Sequence, residues 1–207
     1  EQAYGSPVAA TVLPNGGFLE AWAGTLGVWV HAGLSPGTAN HDYQAPLGHY
    51  GYDVGIASDA TSRAVIAWYS NAAGHLGVYA QDVNPLSGAP VGSAVHMPGT
   101  ANMAVGMIGR TPIVARPGGG SYVAYATGYP ALNRVMLWRV GSGTSLMSRT
   151  NRTGNTTATV AADSNGRLWV SWTDTINGVP HVLARRSNRT ASYFGAVVDA
   201  GRPRGGS

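Results

Sequence analysis

Around Leu168 the chain alternates between two faces: Leu168, Val170 and Trp172 fall on one side, and Arg167, Trp169 and Ser171 on the other. Just before them, Ala158–Ala162 form a short apolar run, and Asp163-Ser164-Asn165-Gly166 separates the two. A period of two over so few residues predicts half-buried strands. An Asp/Asn/Gly cluster between them predicts a tight turn, because these residues tolerate positive φ. The same strand–turn–strand pattern occurs four times. It ends on an aromatic in each case: SPVAATVLPNGGFLEAW on Trp22, DVGIASDATSRAVIAW on Trp68, TPIVARPGGGSYVAY on Tyr125 and TATVAADSNGRLWVSW on Trp172. The closing aromatics are 46, 57 and 47 residues apart.

A third strand follows each copy, starting at Gly27, Gly77, Arg134 and His181. In the last three copies its first valine (Val78, Val135, Val182) comes ten residues after the closing aromatic; in the first copy Val28 comes after six. A weaker fourth strand is expected near 44–47, 94–97, 145–149 and 194–198. No long segment carries a 3.6-residue apolar period with caps, so no helix is expected. Four short strands per unit of about 45 residues are the mark of a β-propeller blade. A lone blade cannot bury both of its faces, so blades must stack. The expectation is one all-β domain over residues 1–207, with blades at about 5–48, 52–99, 110–150 and 156–200. The four would either close into a small ring by packing alone or form part of a larger ring.

Composition narrows the function classes. All thirteen basic residues are Arg, and only 11% of residues are charged. The net charge of +4 is scattered, apart from Arg185, Arg186 and Arg189, and lacks the dense stripe of a nucleic-acid binder. Without cysteine the chain has no disulfides, thiolate metal ligands or cysteine nucleophile. No apolar run is long enough for a membrane-spanning helix. The arginine-only, Ala- and Gly-rich usage fits a GC-rich coding bias, as in actinobacteria. Solubility resting on Ser, Thr and Asn fits a secreted or cell-surface β protein. The start at Glu1, without Met or a leader pattern, reads as a processed form or an excised piece.

The phrases AVIAWYSNAAGHLGVYAQDVNPLSGAPVG and ATVAADSNGRLWVSWTDTINGVPHVLARRS resemble repeats of bacterial sialidase-like propellers, of the kind found in secreted actinobacterial proteins. The likeness extends over nearly the whole chain at the level of the repeat. It implies a propeller fold, whereas function does not follow from fold. The family's Asp box, Ser-x-Asp-x-Gly-x-Thr-Trp, is absent, and Asp163–Gly166 has the spacing of an ordinary turn. GRTPIV resembles the family's Arg-Ile-Pro motif ahead of an innermost strand, although it stands in the third copy rather than early. That resemblance implies a role for Arg110 in gripping a carboxylate, which a guanidinium can do with two parallel hydrogen bonds.

Candidate chemistry gathers at one mouth. A retaining glycosidase needs two carboxylates, or Tyr activated by Glu. Only two Glu exist: Glu1 is terminal, and Glu20 shares a strand face with Trp22. Asp42, Asp53 and Asp174 are better placed. Asp174 is expected in a second-to-third-strand loop and Asp53 just ahead of a first strand. In a propeller these two loop types surround one end of the channel, and Asn71 and Asn155 would join them there. Tyr50, Tyr52, Asp53, His75, Asn133 and Asn177 are therefore the candidate ligand-binding residues, with aromatic faces and amides suited to a sugar. If the chain is an enzyme, a hydrolase or lyase, the candidates are Arg110, Tyr129, Asp174 and His49.

No metal or other cofactor is expected. His31, His41, Asp42 and His49 match no zinc spacing. DVNPLSG from Asp82 lacks the acidic positions of a calcium loop and reads as a turn. RPGGGS from Arg116 reads as a hairpin turn, and the recurring aromatics read as packing between blades. The leading functional expectation is a noncatalytic, secreted propeller module that binds carbohydrate or another polar surface ligand. A glycan-active hydrolase or lyase is the second, and a structural subunit supplying blades to a larger homo-oligomer the third. Nucleic acid and a membrane span are not expected.

Overall fold

Alternating residues pair into sheets in a computed structural model that describes residues 8–24, 27–33, 41–44, 51–59, 63–70, 72–98, 110–128, 131–150 and 157–202, with the backbone alone for 41–44. Among these residues there are sixteen strands and no helix. The first blade comprises β1 (Ala9–Val12), β2 (Phe18–Gly24), β3 (Gly27–Gly33) and β4 (His41–Gln44). The second comprises β5 (Gly51–Ser58), β6 (Ala64–Ser70), β7 (Gly77–Val83) and β8 (Pro90–His96). The third comprises β9 (Ile113–Ala115), β10 (Ser121–Thr127), β11 (Arg134–Arg139) and β12 (Thr144–Arg149). The fourth comprises β13 (Ala158–Ala162), β14 (Leu168–Ile176), β15 (Val179–Arg186) and β16 (Val198–Asp199). Each blade is an antiparallel meander in chain order, and the whole is a four-bladed β-propeller, as the repeat predicts. The first strands β1, β5, β9 and β13 follow one another around the axis.

Period-two alternation gives every sheet two faces, and the core lies between blades. Leu19, Ala21 and Val30 of blade one meet Ile66, Trp68 and Tyr79 of blade two. Val65, Ala67 and Ala80 of blade two meet Val123, Tyr125 and Trp138 of blade three. Tyr122, Ala124 and Leu137 of blade three meet Leu168, Val170, Trp172 and Leu183 of blade four. The closing aromatics Trp68, Tyr125 and Trp172 are thus seam residues, whereas Trp22 stays partly exposed.

Turn chemistry follows the sequence closely. Asp163 Oδ1 accepts the amides of Asn165 and Arg167, both at 2.9 Å, which closes the turn between β13 and β14. Asn84 caps the β7–β8 turn in the same way, with Oδ1 accepting the Leu86 amide at 2.9 Å. The expected turn after Arg116 is also a hairpin, but Arg116 itself is buried. Its guanidinium donates to the carbonyls of Gly119 (3.0 Å) and Gly118 (3.2 Å) in its own turn, and to those of Arg189 (2.8 Å) and Gly166 (3.4 Å) in blade four.

Two local expectations need correction. Asp174 is not in a loop: β14 runs on to Ile176, and Asn177-Gly178 alone make the turn, at φ 50° and 77°. Two consecutive positive φ values give a type I′ turn, which holds β14 and β15 paired to their ends. Asp53 does not precede its strand but lies within β5, at a bulge between Tyr52 and Gly55 and with φ 51°. The fourth strands are also shifted. β4 begins three residues earlier than expected, and β16 is only two residues long, supplemented by a bridge between Ser187 and Phe194.

Candidate functional site at the axial mouth

The innermost strands of blades two and three are joined just ahead of β9. The Thr111 amide donates to the Asp53 carbonyl at 2.6 Å, linking blades two and three next to the axis. Gly55 permits this approach, since a methyl group there would collide with the Thr111 carbonyl oxygen. Around this point lies a cavity of 330 Å³ whose wall includes Ala9 and Ala10, Gly55 and Ile56, the segment Arg110–Ile113 and the segment Thr157–Val160. All four innermost strands or their lead-in residues therefore contribute to it.

The polar lining is one guanidinium and a set of hydroxyls. Arg110 is exposed, just ahead of β9, and no ion pair to it occurs among the described residues. Thr111 beside it is buried. Thr157 and Thr159 face the cavity from the start of β13, where the Thr157 hydroxyl lies 3.3 Å from that of Thr173. Such a site can receive a carboxylate at Arg110 and hydroxyl groups at the threonines and backbone. No carboxylate or imidazole lines the cavity among the described residues, and no cluster of metal-ligating side chains occurs among them.

The candidate residues named from sequence are distributed differently. Of those among the described residues, Arg110 alone lines the cavity. Asp53 touches the wall through its backbone, and partial burial pushes its carboxyl above the ordinary aspartate value. Tyr52, on the preceding residue, pairs across β5 and β6 with Tyr69 and is exposed. Asn177 makes the β14–β15 turn. His75 is exposed in the turn between β6 and β7, and Asn133 offers its carbonyl to the Thr150 amide at 2.8 Å.

Asp174 is buried on the face of blade four that meets blade three, and its Oδ1 accepts the Thr175 amide at 2.7 Å. It is in register with His181, whose Nδ1 lies 2.8 Å from Asp199 Oδ2. The Gly201 amide, and then His181, hold the Asp199 carboxyl below its usual value. His49, Tyr50, Asn71, Tyr129 and Asn155 lie outside the described residues, as do the side chains of His41 and Asp42. Thr111, Thr157 and Thr159 were not singled out from sequence. Their one available signal was position, immediately before or within an innermost strand.

No protein-family model matches the chain, and no curated protein matches it in sequence. Solved structures match it in fold. One is a protein of unknown function from Dyadobacter fermentans, 12% identical with a TM-score of 0.62, over 100% of this chain and 68% of that one. Another is an ulvan lyase of a polysaccharide lyase family, 9% identical with a TM-score of 0.56, over 93% of this chain and 54% of the lyase. A third is an endo-arabinase from Bacteroides thetaiotaomicron, 9% identical with a TM-score of 0.55, over 99% of this chain and 83% of the arabinase. The chain thus spans about half the length of the lyase. At such identities the likeness is one of fold, and two of these propeller neighbours are enzymes named for polysaccharide substrates.

Proposed function

We propose that this propeller is a carbohydrate-binding module that holds a carboxylate-bearing saccharide at the axial mouth without turning it over. The observation that carries this reading is the position of Arg110: this exposed arginine lines a cavity that all four innermost strands share, beside Thr111, Thr157 and Thr159. A guanidinium at such a mouth can pair bidentately with a uronic or sialic carboxylate. Hydroxyls and backbone groups then take up the sugar's own hydroxyls. The sialidase-like resemblance of GRTPIV supports the same role for Arg110. Turnover would need a proton donor and acceptor at the scissile bond. The described lining supplies neither, which favours binding. The composition supports a secreted or cell-surface setting for such a module.

The second reading is a glycan-active enzyme. It is favoured by the polysaccharide-acting neighbours of the same fold. The test is calorimetric titration with acidic and neutral oligosaccharides, run beside released-sugar and unsaturated-product assays on acidic polysaccharides. Binding of acidic glycans without products, lost in Arg110→Ala, supports the module. Products that disappear in Arg110→Ala and Asp174→Asn, with folding retained, would replace it by the enzyme. No interaction with any acidic glycan would remove both.

A further inference from the structure

By plain alternation Tyr52 would share a face of blade two with Val54 and Ile56, which pack against blade one. The structure places it on the other face. Gly55 pairs with Ala67 and Tyr52 with Tyr69, so three residue steps along β5 match two along β6. The extra residue is a β-bulge, and it turns Tyr52 to the side that carries Tyr69. Tyr69 packs against the apolar cluster between blades two and three. Tyr52, in register beside it, is 42% exposed. Asp53 sits inside the bulge at φ 51°, a left-handed conformation that a non-glycine residue adopts only under constraint. Packing alone does not account for this arrangement: an unbulged β5 would keep its regular pairing and spare Asp53 that conformation.

The bulge lies at the rim of the axial cavity. β5 starts at Gly51, and farther along it Gly55 and Ile56 form part of the cavity wall. The Asp53 carbonyl accepts the Thr111 amide at 2.6 Å. The residues just before these two are Tyr52 and Arg110, and both are exposed. The seam between blades two and three therefore brings a tyrosine pair and the cavity's arginine to one place. Tyr52 stands outside the wall that Arg110 lines. A sugar whose carboxylate is held at Arg110 reaches the tyrosines only through a further ring.

We infer that Tyr52 and Tyr69 form an aromatic platform for a second sugar ring, next to the acidic ring held at Arg110. This rests on the binding role of Arg110 proposed above and extends it: the ligand is an oligosaccharide in which an uncharged ring adjoins the acidic one. One face of a pyranose presents C–H groups, which stack on a tyrosine ring, while the sugar's hydroxyls can reach the phenol oxygens. Neither tyrosine brings a cation, so the ring they take is uncharged. Seam packing fixes Tyr69, and the cross-strand register sets Tyr52 beside it, so little side-chain freedom is lost on binding.

Calorimetric titration of the full chain tests this, with glucuronic acid and with the two disaccharides in which glucuronic acid precedes or follows a neutral sugar. At least one disaccharide should bind about tenfold more tightly than glucuronic acid. Tyr52→Ala should narrow that gap to about twofold, and Tyr52→Phe, which keeps the ring, should retain most of it. Tyr52→Leu keeps apolar bulk in the cross-strand pair and should behave as Tyr52→Ala does, so it decides the matter if the alanine variant does not fold. Arg110→Ala should abolish binding of all three probes. Equal affinity of the parent for the three, or a gap that survives loss of the tyrosine ring, would overturn the platform and leave the Arg110 site standing. A parent that binds none of them removes that site and the platform with it.

Discussion

Arg110 and Arg116 stand at opposite ends of the three-residue strand β9 and do different things. Arg116 is buried, and four carbonyl oxygens from two blades surround its guanidinium. Arg110 is exposed at the axial cavity. A guanidinium whose donors are already occupied by backbone is a staple, because releasing it would strand a buried charge and several carbonyls. One facing a cavity can exchange water for a ligand's carboxylate at little structural cost. The residue type is the same, and neighbouring turns decide the role: Gly166 and Arg189 close over one arginine, and among the described residues nothing comparable closes over the other.

This contrast can be broken at several points. In stability, the largest effect should come from Arg116→Ala, which removes charge-assisted hydrogen bonds within and across a seam, a loss of roughly 3 kcal/mol. The midpoint of urea unfolding should fall accordingly. Arg116→Lys should recover little, since a single ammonium cannot span the same carbonyls. Gly55→Ala should cost about 1–3 kcal/mol by overpacking against Thr111, and it should weaken ligand binding at the mouth as well. Thermal melts and titration of an acidic oligosaccharide would read both effects. Asn177→Ala removes the short amide that lets this residue tolerate φ 50° and should cost about 1 kcal/mol, visible as a lower melting temperature without loss of the sheet spectrum.

Arg110→Ala should leave stability within about 0.5 kcal/mol of the parent while removing acidic-glycan binding, the inverse of the Arg116 result. A destabilised Arg110→Ala, or an Arg116→Ala as stable as the parent, would erase the distinction between the two ends of β9. The smallest effect concerns pH. Burial raises the Asp53 carboxyl above its ordinary value, so the folded chain holds that proton more tightly than the unfolded chain does. Stability should therefore fall as pH rises through the carboxylate range and stay lower above it. Asp53→Asn should abolish that component: it should match the parent in acid and exceed it modestly at neutral pH, as paired unfolding curves would show.

How much of this was legible in sequence differs element by element. The first two strands of blade four and the turn between them could be read because Asp163 and Asn165 act through bonds within a few residues. Asp174 was misplaced because the two-residue turn lets β14 and β15 pair as far as Ile176 and Val179. A loop reading could not anticipate how far that register would extend. At the candidate site, Arg110 was singled out through a motif, whereas the threonines of the lining were not. Threonine is common in strands and declares a role only when several innermost strands converge.

By itself, the sequence determined the repeat, the all-β blades and the turns, because alternation and turn propensity are written in contiguous residues. Tertiary structure alone decided which arginine is a staple and which of the four aligned aromatics is left partly uncovered. Those outcomes depend on groups such as Arg116 and Arg189, 73 residues apart in the chain, and on whether another blade stands against a given face. Burial is a property of neighbours in space, and no local pattern records it.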